Sequence, residues 1–219
     1  MSKDGVMSKR VRVITIDGPS GTGKGTLSGL LANALGWRWL DSGALYRVLA
    51  LAATQHGVDW GNEAALVVIA EHLDVQFQVA QAGLKARVLF EGDDVTERIR
   101  SEACGAHASR IAAYPRVRHA LLARQRAFAA QPPGLIADGR DMGTVVFPSA
   151  FLKIYLDASA EIRSERRYKQ LKEQGIDVTL RQVAGELSRR DQRDKGRATS
   201  PLVPASDAVV LDTTALDTE

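Results

Sequence analysis

Apolar positions along the chain change period several times, and each change marks an element. Val13-Ile14-Thr15-Ile16 is a short apolar run closed by Asp17, the texture of a buried strand over Val11 to Asp17. From Gly25 to Leu35, Leu27, Leu30, Leu31, Ala34 and Leu35 recur at helical spacing. That spacing predicts one buried helical face ending at Gly36, a suitable C-cap. A strand at Trp37 to Leu40 and a helix from Ser42 to about Gln55 complete a βαβα opening, with a further helix around Glu63 to His72. The texture then switches: Val75, Phe77 and Val79 alternate with polar residues, and after Ala82-Gly83 so do Ala86, Val88 and Phe90, predicting an antiparallel hairpin. Helical stretches from Ser101 to Ala113 and Pro115 to Ala130 follow, Pro115 suiting a first turn. Leu135-Ile136-Ala137 before Asp138, Leu152 to Leu156 before Asp157, and Ala208 to Leu211 read as buried parallel strands. The sum is an α/β chain: a parallel sheet flanked by helices, over 10–73 and 119–219, interrupted by a small α+β insertion at 74–118.

Composition changes this picture little but excludes several classes. With 219 residues, 45% of them hydrophobic, the chain can bury a sizeable core, so general disorder is excluded. Its single cysteine, Cys104, allows no internal disulfide and no thiolate zinc cluster, favours a reducing compartment and reads as a buried small residue. Met1 to Arg12 lacks the apolar stretch of a signal peptide, and no run approaches the ~20 apolar residues of a membrane span. A soluble, cytoplasmic, monomeric protein is the expectation. The net charge of +3 is modest for a nucleic-acid binder. Basic residues nevertheless crowd between Glu161 and Arg197.

Candidate chemistry begins at Gly18-Pro19-Ser20-Gly21-Thr22-Gly23-Lys24-Gly25-Thr26, between the first strand and the first helix. A glycine-rich turn in that place lets backbone N–H groups converge on phosphate oxygens. The helix N-terminus adds positive potential, and Lys24 reaches the outer phosphates of a nucleoside triphosphate. Most such loops place a Ser or Thr directly after the lysine to hold Mg²⁺; here that position is Gly25, with Thr26 following. The ion then needs other ligands, such as water held by acidic side chains.

Transfer between two polyanions demands positive charge on a closable flap. Arg163, Arg166 and Arg167 are spaced three and four apart, and Arg190, Arg193, Asp194 and Arg197 fall on one helical face. Both rows can point inward as a lid over 163–197, with Gly175 and Gly196 as hinges and Thr179 to Gln182 as a capping box. The alternative is a solvated face of intrahelical ion pairs such as Arg190 with Asp194. At the carboxyl end of a central strand, where open α/β sheets bind ligands, stands Asp138-Gly139-Arg140-Asp141-Met142-Gly143-Thr144. Asp138 can hold Mg²⁺ through water or merely cap the following loop, Arg140 can bind the transferring phosphate, and Asp141 can accept from an exocyclic amine. His56, His72, His107 and His119 show no motif spacing and read as surface or packing residues.

The segments Ile16 to Gly21 with Lys24-Gly25-Thr26, Leu40 to Arg47, Ala137 to Gly143, and Arg189-Arg190-Asp191 to Arg197, in this order and around an insertion of this size, resemble the bacterial-type cytidylate kinases. The resemblance spans nearly the whole chain. It implies ATP-dependent transfer of the γ-phosphoryl group to CMP or dCMP, with Mg²⁺ as cofactor. It also implies a P-loop core, an enlarged monophosphate-binding insertion and a lid. Carried over by position, Lys24, Arg140 and Arg190 are the catalytic group. Ser109, Arg118 and Asp141 read the cytosine ring, and Ser42 and Asp194 the sugar. Arg47, Arg140, Arg190 and Arg197 hold the acceptor phosphate, and Arg166 and Arg167 close on ATP. Family members usually continue past the last strand into a terminal helix; this sequence ends at Asp217-Thr218-Glu219.

Cytosine presents an amine donor beside ring acceptors, which a carboxylate next to a guanidinium and a hydroxyl complements. Uracil would set a carbonyl against Asp141, a mismatch of several kcal/mol when dry. Rival readings fare worse: no Asn-Lys-x-Asp guanine motif or Asp-x-x-Gly switch occurs, and the insertion with Asp141 beside Arg140 argues against thymidylate, adenylate and shikimate kinases.

Overall fold

A computed structural model describes residues 12–78 and 87–216. The chain runs β1 (Arg12–Asp17), α1 (Lys24–Leu35), β2 (Arg38–Asp41), α2 (Ser42–Gln55) and α3 (Glu63–His72). It continues through β3 (Val75–Gln78), β4 (Arg87–Phe90), β5 (Asp93–Asp94), α4 (Thr96–Arg100), α5 (Glu102–Ile111) and α6 (Pro115–Ala127). The last part is β6 (Gly134–Gly139), a π-helical turn (Met142–Val146), β7 (Leu152–Asp157), α7 (Ala160–Glu173), α8 (Leu180–Lys195) and β8 (Val209–Asp212). The main sheet is parallel, in the order β2-β6-β1-β7-β8; β3, β4 and β5 form a small antiparallel sheet.

Strand alternation sorts the core. Ile14, Ile16, Trp39, Ile136 and Leu156 face α1, whereas Val13, Leu40, Leu135 and Ala137 join the larger cluster built on α2, α3 and α6. The same alternation sends the acidic strand ends to opposite faces: Asp138 follows Ile136 toward α1, and Asp17 follows Val13 and Thr15 toward the π-turn. Parallel register then aligns the ends of β1, β2 and β6, with Asp41 opposite Asp138 and Asp17 opposite Gly139. A third cluster of Leu171, Val183 and Leu187 joins α7 to α8.

The structure departs from the sequence expectations in five places. The buried face of α1 is Lys24, Ser28 and Ala32, with Leu27 and Leu31 partly covered, while Leu30 is 56% and Leu35 45% exposed and Ala34 is exposed too. The helix approaches the sheet closely through small side chains, so its leucines flank the contact. β8 is parallel but it is the outer strand, and Val209, Val210 and Leu211 are exposed. The helix expected from Ser101 is preceded by α4, and Ser101 is the cap between the two, its Oγ accepting from Cys104 N at 3.3 Å. Cys104 is half-buried, its Sγ donating to Arg47 O. Arg193 is exposed, although it lines a surface cavity together with Arg190. The hairpin is antiparallel as expected, with Val75 opposite Phe90 and Phe77 opposite Val88; Val79, Ala86 and the Ala82-Gly83 turn lie outside the described residues. Gly36 caps α1 in the left-handed region, and the Thr179–Gln182 capping box forms. His107 stacks on Trp60, and the other three histidines are exposed.

No helix among the described residues is long and apolar enough to cross a membrane. The turn out of β1 depends on Gly18, at φ 147°, where an added Cβ would overlap the carbonyl oxygen of Leu156 on the neighbouring strand. Neither backbone can retreat without breaking the ladder, so Gly18→Ala should lower stability by about 3 kcal/mol, read as a shift in denaturant midpoint.

Candidate active site

The glycine loop after β1 leads into α1 through Gly21 and Gly23, both in the left-handed region. Gly23 is the N-cap and supplies no side-chain cap, and an added Cβ at Gly23 or Gly25 would meet open space. The first N–H groups of α1 are therefore open to an anion. Lys24 Nζ donates to Pro19 O at 2.6 Å, and Thr22 Oγ1 donates to the same carbonyl at 3.1 Å. Burial, then the nearby Arg140, pushes the Lys24 ammonium pKa well below its usual value; Asp138 and Asp17 act the other way. The loop is braced from outside. Arg163 Nη1 donates to Ser20 O, Thr213 Oγ1 donates to Thr22 O, and Gly21 leaves no room for a Cβ against Arg163.

Two carboxyl groups stand behind the loop. Asp17 accepts from Met142 N at 2.9 Å and Gly143 N at 2.8 Å, tying β1 to the π-turn, and burial pushes its pKa up to about 6 despite those bonds. Asp138 accepts from Trp39 Nε1 at 2.8 Å, and burial, followed by repulsion from Asp41, raises it to about 7. A raised carboxyl retains its proton in the folded state after the unfolded chain has lost it, so its contribution to stability disappears as pH rises from 4 to 7. Asp138→Asn should therefore gain stability relative to wild type across that window, measured by melting the unliganded proteins at both pH values.

A narrow cavity lies between the carboxyl end of β6 and helices α2, α5, α6 and α8. The structure brings Ser42, Ser109, Arg118, Arg140, Asp141, Arg190, Asp194 and Arg197 to its walls, together with Tyr46. Arg118 and Asp141 form a buried ion pair, with the Arg118 guanidinium over the Tyr46 ring. Ser109 Oγ is buried and has no hydrogen-bond partner among the described residues. Asp194 is the hub of the other end: one oxygen accepts from Arg140 Nε at 2.8 Å and the other from Arg197. Among the described residues Asp194 pairs with Arg140 and Arg197, not with Arg190. Arg190 is left with burial and the charges of Arg140 and Arg47, which lower its pKa to about 9. Arg190 also lines a neighbouring cavity of about 610 Å³ that reaches Ser20 of the glycine loop, so the two spaces meet at one guanidinium.

Three expected site residues lie outside the walls of the narrow cavity and are held by protein partners, although Arg167 lines the larger cavity with Ser20 and Arg190. Arg47 is buried, but its Nη1 donates to Ile99 O and Ser101 O at the α4–α5 junction. Arg166 donates to Thr213 and to Leu216 O, on the segment after β8. Arg167 pairs with Glu102, tying α7 to α5. Sequence reasoning missed Asp17 as a site group, Trp39 as the partner of Asp138, and Tyr46, Gln125 and Glu102. Only Asp17 carried a signal, an acid closing an apolar strand.

A parallel sheet with a glycine loop, an open helix N-terminus and a buried lysine at its strand ends, facing an arginine-lined cavity, defines a P-loop phosphotransferase. The family model described as cytidylate kinase matches residues 14–219. A cytidylate kinase of Stutzerimonas stutzeri is 62% identical over 213 residues, covering 97% of this chain and 93% of that protein. One from Shewanella loihica is 59% identical over 210 residues, at 96% and 90% coverage, and one from Azotobacter vinelandii 60% over 213 residues, at 97% and 93%. The chain belongs to the cytidylate kinase family.

Proposed function

We propose that the protein transfers the γ-phosphoryl group of ATP to CMP or dCMP, releasing ADP and CDP or dCDP. The observation that carries this reading is the buried Arg118–Asp141 pair beside the free Ser109 hydroxyl, in a cavity whose opposite end is arginine-lined and joined through Arg190 to the phosphate loop. A carboxylate, a guanidinium and a rotatable hydroxyl complement the amine, O2 and N3 of cytosine. Arg140, Arg190 and Arg197, with Arg47 behind them, would hold the acceptor phosphate.

In this reading residues 74–118 are the monophosphate-binding insertion, 163–197 the lid, and the remainder of 10–219 the P-loop core. The loop N–H groups and Lys24 bind the donor phosphates, which draws Lys24 Nζ away from Pro19 O. Arg140 and Arg190 stand between the two phosphate sites, where charge develops on the transferring group. An acceptor phosphate oxygen attacks in line, the bond to the ADP oxygen breaks, and no protein base is required because the acceptor is already mostly ionised at neutral pH. Arg166 and Arg167 serve ATP in this scheme, which requires Arg167 to leave Glu102.

The donor chemistry near Asp138 suits Mg²⁺. No three acidic, histidine or cysteine side chains are grouped to hold a metal among the described residues, yet Asp138 and Asp41 repel each other in a buried place, as a water-held hard cation would relieve. When bound, Mg²⁺ neutralises charge on the donor phosphates. The test is product formation: phosphorus NMR of the protein with Mg-ATP and CMP should show CDP and ADP accumulating together, and ADP without CDP would overturn the proposal.

A further inference from the structure

We propose that Gln125 is a positioning residue that makes Ser42 a fixed hydrogen-bond acceptor, so that the cavity selects its nucleotide by a hydroxyl on the sugar; this rests on the reading of the cavity as the acceptor site. Gln125 is two helical turns beyond Arg118 on α6, placing both on one face toward the cavity. It is 2% exposed and Ser42 is 3% exposed, so neither group exchanges its partner for water. The amide has one workable orientation. Its Nε2 donates to Leu121 O at 3.3 Å, and turning it over would set Oε1 against that carbonyl, acceptor against acceptor.

With the amide so fixed, Oε1 faces Ser42 Oγ at 2.9 Å. An amide oxygen carries no proton, so the serine hydroxyl is the donor. A hydroxyl has one proton, and Ser42, a wall of the cavity, has only lone pairs left to offer. A ligand group that matches a fixed acceptor is a donor. On a nucleoside monophosphate away from the base, the sugar hydroxyls are the only such groups; an ether or phosphate oxygen would meet lone pairs with lone pairs. The two serines thus divide the work. Ser109, without a protein partner, can turn to donate or accept, while Ser42 can do one thing. Because α6 also carries Arg118, base contact and sugar contact are set from one rigid element.

The test compares CMP with its analogue lacking both sugar hydroxyls, in wild type, Gln125→Met, Gln125→Glu, Ser42→Ala and the Ser42→Ala/Gln125→Met double variant. Wild type should show a KM for the dideoxy analogue about tenfold above that for CMP, at similar kcat. Gln125→Met should raise the KM for CMP about tenfold with kcat within about twofold, leave the analogue's KM unchanged, and add nothing to Ser42→Ala. Gln125→Glu, kept protonated by burial, presents its carbonyl oxygen to Ser42 and its O–H to Leu121 O, and should stay within about threefold of wild type. Equal wild-type KM values for the two substrates, an equal rise for both in Gln125→Met, or additivity with Ser42→Ala would overturn the proposal, and the first holds even if a variant fails to fold. Loss of the acceptor-site reading has its own signature: wild type would fail to turn over CMP at all.

Discussion

Lys24→Met should lower kcat by about three orders of magnitude, roughly 4 kcal/mol of transition-state stabilisation, while the protein remains folded. Lys24 is 8% exposed at the start of α1, and Arg140, Asp138, Arg190 and Asp17 all act on its charge. It is thus the ammonium at the meeting point of the phosphate loop, the β6 end and the α8 arginines. Methionine keeps most of the stem and removes the charge. Pro19 O, which loses a donor, keeps Thr22 Oγ1, so the loop retains its internal bond. Steady-state rates at saturating ATP and CMP, paired with a melting curve, decide the matter. A rise in the KM for ATP at unchanged kcat would mean that Lys24 only binds.

The second large effect falls on Asp141→Ala, which should reduce kcat/KM for CMP by about 10²- to 10³-fold and bring UMP and CMP close together. Two penalties combine. In the proposed reading the amine of cytosine loses its acceptor, and Arg118, which is buried against Tyr46, loses its counter-ion. The KM for ATP should change less than about twofold, since Asp141 touches no part of the glycine loop. Retained discrimination between CMP and UMP in this variant would remove Asp141 from base recognition.

Much of this arrangement was legible in the sequence because its signals were local. Helices α2 and α3 stand where the sequence placed them, and the structure adds their caps, Asp41 and Asn62, whose side chains accept from Ala44 and Ala65. The glycine loop is recognisable because its conformation requires glycine at 18, 21 and 23. What failed was non-local. The five apolar positions of α1 gave a valid helix but the wrong inner face, because small Ser28 and Ala32 let the helix seat against β6 and β2. Apolar Val209 to Leu211 said strand but not edge, since edge position depends on sheet order. The α4–α5 break at Ser101 left no apolar signature.

The candidate site divides in the same way. Motif residues next to the glycine loop and β6 were visible one by one, and the structure places most of them around a single cavity. The pairings were not visible: Arg167 with Glu102 and Arg166 with Thr213 join segments far apart in sequence. Trp39 with Asp138 is a contact across 99 residues and Ser42 with Gln125 one across 83, and no spacing rule reaches so far.

The central claim is that the Arg118–Asp141 end of the cavity reads cytosine, and the most direct measurement is kcat/KM for CMP and UMP, side by side, in wild type with Mg-ATP. CMP should lead by at least about 10²-fold, the scale of one buried acceptor left facing another. Equal values, or a lead for UMP, would contradict it.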